Sequence, residues 1–177
     1  MINRRMLVLT AVAGLFAAAA IYPAAAAPAR SDDPLAIVNA IYARAAKGKG
    51  NGGGTFIIEN KAAKAKYLSR SLVALWAKSD ARILKGDSGP IAFDPVTNSQ
   101  NPGLRSFKAV AEKVEPDRTT IAVTLTGRPA SRPNPADRVV RYDFVRDAGQ
   151  WKIDDIRGAV DGEPWSNRAL LAFSLEN

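Results

Sequence analysis

The chain has 177 residues, and its 25 lysines and arginines outnumber its 17 aspartates and glutamates, which gives a net charge of +8 at pH 7. It contains no histidine and no cysteine, which excludes histidine general bases, thiol nucleophiles, disulfides and metal sites built from imidazole or thiolate. Proton transfer would fall to Asp, Glu, Lys or Tyr side chains, and no carboxylate spacing resembles a calcium-binding loop. We therefore expect no metal site and no cofactor.

The N-terminal segment has the parts of a secretory signal peptide. Two arginines form a short positive region, an apolar stretch follows over residues 6–21, and small residues surround Ala26. We predict a signal peptide over residues 1–26 that is cleaved near Ala26, a flexible segment over residues 27–32, and a single domain over residues 33–177 in the periplasm or outside the cell. The alternative is a retained membrane anchor, because the uncharged stretch could nearly span a bilayer.

The predicted mature chain stays basic. Residues 1–26 contain two arginines and no acidic residue, so their removal lowers the net charge from +8 to +6. Such a charge favours anionic partners, for example an anionic polymer of the cell envelope. The basic residues are scattered along the sequence, which favours the alternative that they only keep the protein soluble. We expect no specific nucleic-acid partner, and contact with the membrane only through the signal peptide.

The first predicted element of the domain is a helix that begins at Pro34. Two aspartates precede the proline, an arrangement that satisfies the free backbone amides of a helix start. Apolar residues then recur at helical spacing and define one face: Leu35, Val38, Ile41, Tyr42 and Ala45. The glycine-rich run over residues 47–54 formally contains a G-x-G-x-x-G pattern, but it follows a helix rather than a strand, so we interpret it as a flexible loop.

A second helical region is predicted over residues 61–84, with a break at Ser69, whose side chain is suited to cap the second piece. The apolar face of this region consists of Leu68, Leu72, Leu75, Trp76 and Ile83. Residues 86–103 are rich in Pro, Gly, Asn and Ser. A segment of this length and composition is typical of a lid or a binding loop.

The C-terminal half is predicted to be mostly β-structure. Strands are expected over residues 105–114, 119–126 and 138–146 and around Trp151, followed by a short closing helix that carries Leu170, Leu171 and Phe173. Helices followed by a meander of strands indicate an α+β domain, in which a curved antiparallel sheet packs against the helices on one face.

The last two of these strands form a hairpin around an Asp-Ala-Gly turn, which allows two registers. A two-residue loop would pair Phe144 with Ile153 and Tyr142 with Asp155, all on one face. A type I turn with Gly149 in a bulge would instead group Val145, Trp151 and Ile153. We favour the second register, because alanine resists the positive φ that the two-residue loop demands.

The register also decides where the acidic residues of the hairpin lie. In both registers Ile156 leaves the face that carries Ile153, unless Asp154 and Asp155 form a β-bulge. Asp155 is expected on the aromatic-rich side of the sheet in either case, as a partly buried carboxylate.

Several short motifs resemble a known family. They are Tyr67-Leu68-Ser69, Phe93-Asp94-Pro95, Gln100-Asn101, Gln150-Trp151-Lys152-Ile153-Asp154-Asp155-Ile156 and Ser166-Asn167-Arg168-Ala169-Leu170-Leu171. Over most of residues 33–173 the chain resembles the exported bacterial DUF3828 family, within the NTF2-like (cystatin-like) superfamily. The resemblance implies an NTF2-like cone and an exported protein, but no reaction. The family pattern has phenylalanine and aspartate where this chain has Val96 and Asn101, so no role of those two side chains carries over.

Three functions are compatible with these expectations. The first is a non-catalytic binding or accessory domain for a small molecule, a peptide or an envelope component, using a concave sheet pocket and the loop over residues 86–103. The second is an envelope-surface module that binds an anionic polymer. The third is a histidine-free isomerase or hydrolase, against which the lack of histidine counts. Its base would be Asp143 or Asp155, and its donor would be Tyr42, Tyr67 or Tyr142. No catalytic residue is assigned, and the candidate ligand-binding residues are Tyr42, Tyr67, Trp76, Phe93, Asp94, Tyr142, Asp143 and Asp155.

Overall fold

The structure is a computed structural model that describes residues 33–46, 56–100, 104–126 and 134–176. The predicted signal peptide, the glycine-rich run and the end of the loop over residues 86–103 lie outside the described residues. The elements in chain order are α1 (Pro34–Ala46), α2 (Phe56–Glu59), α3 (Lys61–Tyr67), α4 (Arg70–Asp80), β1 (Ser106–Val114), β2 (Arg118–Thr126), a short 3-10 helix (Pro135–Arg138), β3 (Val139–Asp147), β4 (Gln150–Val160), β5 (Glu163–Ser166) and α5 (Asn167–Glu176).

The first predicted helix is confirmed as α1. Asp33 Oδ1 accepts hydrogen bonds from the backbone amides of Leu35 and Ala36, at 2.7 and 3.3 Å, and so caps the helix start. The expected apolar face is buried at Val38, Ile41, Tyr42 and Ala45. This face packs against β1 and β2 of the sheet.

The second predicted helical region is divided into two helices at Ser69, as expected. The Ser69 hydroxyl caps α4 by accepting a hydrogen bond from the Leu72 amide at 3.1 Å. The helix ends at Asp80, four residues earlier than predicted. At the junction, Leu68 forms a parallel bridge with Ile153 of β4, and the Ser69 amide donates to the Ile153 carbonyl at 2.8 Å. The α3–α4 junction therefore covers part of the β4 edge.

The sheet is a curved antiparallel meander in the order β1-β2-β3-β4-β5. Four of its strands were predicted, and β5 is an addition that runs through Pro164, a residue tolerated at the edge of a sheet. The closing helix is confirmed as α5, which packs beside α4. The domain is thus α+β, with a five-stranded sheet and a C-terminal helix. No helix within the described ranges is long and apolar enough to cross a membrane.

The core lies between the helices and one face of the sheet. Its fully buried large side chains come from α1, α2, the α3–α4 junction, α4, the strands and α5: Val38, Ile41, Tyr42, Ile57, Leu68, Leu72, Ile121, Tyr142, Phe144, Ile153, Ile156 and Leu171. The other face carries mainly polar and charged side chains, and β1 is largely exposed. This alternation is typical of an antiparallel sheet with one solvated face.

The favoured hairpin register is wrong. Asp147 pairs with Gln150, so that the loop has two residues, and Phe144 pairs with Ile153. Both loop residues have positive φ, 50° at Ala148 and 79° at Gly149, as in a type I′ turn, whose twist matches that of the strands. The strand twist and the hydrogen bonds that Arg70 of α4 donates to the Asp147 carboxylate therefore outweigh the local resistance of alanine to positive φ.

The structure contains the β-bulge at Asp154 and Asp155 that would keep Ile156 on the same face as Ile153. Asp143 pairs with Asp155 while the next residue, Phe144, pairs with Ile153, so Asp154 is the extra residue on β4. The bulge returns Ile156 to the face that carries Ile153, and both side chains are completely buried. It also corrects the expected position of Asp155, which shares a face with its partner Asp143 and lies on the side of the sheet opposite to the aromatic core.

Candidate functional site

Two of the predicted ligand-binding tyrosines meet in the core. The Tyr142 hydroxyl donates to the Tyr42 hydroxyl at 3.2 Å, and Tyr42 donates to the Val96 carbonyl at 2.7 Å. Both rings are completely buried, and burial raises the pKa of both phenols far above the ordinary value. The pair is therefore held in the neutral form, and its hydrogen bonds tie α1, β3 and the loop before β1 together.

The predicted residues Phe93 and Asp94 lie in that loop. Asp94 is buried and accepts hydrogen bonds from the Val96 amide at 2.9 Å and the Thr97 hydroxyl at 2.7 Å. The ring of Phe93 packs edge to face against Trp165 of β5. These contacts fix the described part of the expected lid against the core, and Asp94 orders the turn that presents the Val96 carbonyl to Tyr42.

Trp76 and Tyr67 belong to the helical side of the molecule. Trp76 is buried in α4, with the Lys64 ammonium 4.6 Å from its ring centroid. Tyr67 ends α3, is only partly buried, and packs edge to face against Phe56 of α2. The structure thus brings Tyr42 and Tyr142 together but places Trp76 and Tyr67 elsewhere.

Asp143 and Asp155 line a depression on the charged face of the sheet. This polar groove has a volume of about 400 Å³. It is lined by Lys113, Glu115, Arg118, Thr119, Thr120, Asp143, Phe144, Val145, Asp154, Asp155, Arg157 and Arg168. The groove and the buried tyrosines lie on opposite faces of the sheet, and Tyr67 does not line the groove. The expected pairing of an Asp base with Tyr42, Tyr67 or Tyr142 is therefore not assembled here.

The acidic groups of the polar groove are held by neighbouring donors. Asp143 pairs with the Arg157 guanidinium and accepts from the Thr120 hydroxyl at 2.7 Å. Burial raises the pKa of Asp143, but the hydrogen bonds from Arg157 and Thr120 outweigh it and leave the pKa below its usual value. Asp154 is held in the same way by Ser69 and Arg168. These carboxylates stay charged and paired, which is typical of a structural role.

Asp155 differs from its neighbours because burial raises its pKa above the usual value. Its carboxylate nevertheless accepts three hydrogen bonds, from the Ser166 hydroxyl at 2.5 Å, the Ile156 amide at 2.9 Å and the Arg168 amide at 3.1 Å. The Arg168 amide lies in the first turn of α5, and Ser166 directly precedes that helix. The carboxylate therefore links β4 to the C-terminal helix.

A second depression, the lateral cleft, lies where α1, the end of α3 and the start of β4 meet. It has a volume of about 480 Å³ and is lined by Ala36, Ile37, Ala40, Lys66, Tyr67, Gln150, Trp151 and Lys152. Five of these eight side chains are apolar or aromatic, two are lysines and none is acidic. A largely apolar cleft of this size with a few polar groups is typical of small-molecule sites.

Cation–π contacts hold the two aromatic rings that line the cleft. The Arg146 guanidinium lies 4.2 Å from the ring centroid of Trp151, and the Lys66 ammonium lies 5.1 Å from that of Tyr67. Of the cleft residues, sequence reasoning named only Tyr67 as a ligand contact. Trp151 was predicted only as a residue of the hairpin. The one feature of the sequence that could have indicated a ligand contact there is an aromatic residue followed by a lysine, Lys152, at the start of a strand.

Four basic side chains lie over aromatic rings: Arg44 over Phe56, Lys64 over Trp76, Lys66 over Tyr67 and Arg146 over Trp151. The last two of these rings line the cleft. Among the described residues, no group of three or more acidic side chains is placed to hold a metal ion. A comparison of the chain with protein-family models, curated proteins and solved structures finds no match.

Proposed function

We propose that this protein is an exported, non-catalytic binding domain whose ligand occupies the lateral cleft. The observation that carries the proposal is the cleft itself: an open volume of about 480 Å³ beside a closed core, with the rings of Tyr67 and Trp151 in its walls. The polar groove supports a structural role instead, because its carboxylates are engaged with arginines, hydroxyls and backbone amides.

The proposal includes an NTF2-like fold in the DUF3828 family. It is supported by an N-terminal helix packed across the curved face of an antiparallel sheet, with further helices at the side. Export belongs to the same proposal and rests on the apolar segment over residues 6–21. N-terminal sequencing of the periplasmic protein is expected to begin near Ala27, and an intact Met1 in the membrane fraction would contradict export.

The binding proposal predicts that filling the cleft abolishes ligand uptake without unfolding the protein. Ala40 lies on the exposed side of α1 and lines the cleft, so Ala40→Phe adds bulk there and removes no core contact. We expect the neutral fluorescent probe N-phenyl-1-naphthylamine to bind the unmodified protein saturably and to lose at least about tenfold in affinity in this variant, a loss of about 1.4 kcal/mol.

The matched control is Ala74→Phe, which places the same ring on an exposed position of α4, away from the cleft. It is expected to leave both probe binding and circular dichroism unchanged. Equal probe binding by the two variants, or no saturable binding by the unmodified protein, would contradict the assignment of the cleft.

The net charge of +8 and the basic side chains that lie over aromatic rings favour a second candidate, an envelope-surface module that binds an anionic polymer. Attraction of this kind is screened by salt, with a Debye length of about 8 Å at physiological ionic strength. Retention on an anionic matrix at low salt, lost at physiological salt, would support this candidate. Absence of retention at low salt would remove it.

A further inference from the structure

The lateral cleft joins an apolar wall to a cationic rim. Lys66 and Lys152 both line it, and none of its eight residues is acidic. The Lys152 ammonium donates to the Lys66 carbonyl at 2.6 Å and to the Ala65 carbonyl at 3.5 Å. It thereby neutralises the negative end of α3 and is held at one side of the cleft with a third N–H unused by these two bonds.

Lys66 supplies a second, less engaged charge. Its ammonium lies over the ring of Tyr67, and no carboxylate among the described residues pairs with it. Lys66 is exposed, and an ammonium without a counter-ion at the mouth of an apolar cleft can donate a charge-assisted hydrogen bond to a ligand anion. In the polar groove, by contrast, Arg157 and Arg168 are already paired with carboxylates, and four acidic side chains line the same surface: Glu115, Asp143, Asp154 and Asp155.

The apolar wall of the cleft favours a ligand whose remaining part is apolar. Ala36, Ile37 and Ala40 present small or aliphatic side chains from α1, and Trp151 faces them from β4. An alkyl chain or an aromatic body buries its surface against these groups, whereas a polar body would lose hydration without gaining hydrogen bonds.

We propose that the lateral cleft selects small amphiphilic carboxylates, with the apolar body between α1 and Trp151 and the carboxylate at Lys66 and Lys152. This inference rests on the proposed binding function and adds the chemical class of the ligand.

The test compares three probes with the same alkyl chain: decanoate, 1-decanol and decyltrimethylammonium. The two charged probes are kept below the concentration at which they form micelles, and 1-decanol is kept below its solubility limit. Binding is measured by isothermal titration calorimetry on the full domain. We expect decanoate to bind about tenfold more tightly than 1-decanol, which is typical of one hydrogen bond to a charged group. The cationic probe is expected to bind more weakly than both.

Two substitutions assign the preference to the cleft. Lys66→Gln is expected to bring the affinities for decanoate and 1-decanol within about threefold of each other, and Lys66→Arg to restore most of the difference, because the charge is retained. The control is Lys78→Gln, an exposed lysine of α4 that lies outside the cleft, and it should keep the full preference for decanoate.

The outcomes separate this inference from the function on which it rests. Equal binding of decanoate and 1-decanol would overturn the carboxylate preference while leaving a binding cleft in place. Failure of all three probes to bind would overturn both. Binding to vesicles of anionic phospholipid without binding of decanoate would assign the charge to a membrane surface and also overturn the inference.

Discussion

Asp155 is a partly buried carboxylate that organises the start of the C-terminal helix. It accepts from the Ser166 hydroxyl and from two backbone amides, and Ser166 Oγ in turn accepts from the Ala169 amide at 3.1 Å in the first turn of α5. The chain of hydrogen bonds runs from β4 into the helix start. Burial of the charge is a cost, and the three donors offset it.

Asp155→Ala is therefore expected to lower the free energy of unfolding by about 1–3 kcal/mol, because it leaves partly buried donors without an acceptor. Urea denaturation followed by circular dichroism measures the change. Asp87→Ala, at an exposed position between α4 and β1, is the matched control and should stay within about 0.5 kcal/mol of the unmodified protein. If the two variants have equal stability, Asp155 does not anchor α5.

At the scale of elements, the β3–β4 hairpin shows how tertiary contacts choose a register. Asp147 Oδ2 accepts from the Arg70 amide at 2.6 Å, and Oδ1 accepts from Arg70 Nε at 2.7 Å. This places the last residue of β3 at the start of α4 and leaves only Ala148 and Gly149 for the loop. Alanine in the left-handed region costs about 1–2 kcal/mol, so the turn holds strain that a better-suited residue would relieve.

Replacement of Ala148 by asparagine is expected to raise the free energy of unfolding by about 0.5–1 kcal/mol, since Asn-Gly is a preferred type I′ pair and asparagine tolerates positive φ. Thermal and urea denaturation measure the gain. The control is Asp161→Asn in the β4–β5 loop, where φ at Asp161 is already 54° and an Asp-Gly pair is already present, so little change is expected. A loss of stability in the Ala148 variant would contradict the assigned turn.

The sequence predicted correctly those elements that depend on residues close to one another in the chain. The apolar stripe of α1 and the cap at Ser69 follow from neighbouring residues, and the structure confirms both. The hairpin register was missed because it depends on Arg70, far away in sequence. The strand β5 was missed because four residues around a proline have too weak a pattern to indicate a strand.

At the scale of the molecule, the two faces of the sheet have different roles. The helices cover one face, and the hydroxyl groups of its tyrosines form hydrogen bonds within the core. The other is covered by paired charges, such as Glu112 with Arg141 at 2.7 Å. An open, mostly apolar depression therefore remains at the side of the sheet, where a ligand can bind without disturbing either face.

The site was harder to predict than the fold. The lateral cleft combines residues 36–40, 66–67 and 150–152, which no spacing in the sequence links. The aromatic and acidic residues predicted to bind a ligand have side chains that are common in binding sites, but residue type alone does not determine where a side chain lies in the fold. The structure distributes them among the core, the loop before β1 and the polar groove, because burial and pairing depend on contacts between distant segments.

The three tryptophans of the chain provide the most direct test of the account. Trp151 lines the lateral cleft, Trp76 is buried in α4, and the Trp165 indole donates to Asn98 Oδ1 at 3.0 Å on another side of the molecule. Each indole gives one signal in a proton–nitrogen correlation spectrum, and Trp151→Phe assigns the signal from the cleft. We predict that decanoate shifts the Trp151 signal in a saturable way and leaves the other two in place. A shift of the Trp76 or Trp165 signal instead, or no shift of any of the three, would contradict binding in the lateral cleft.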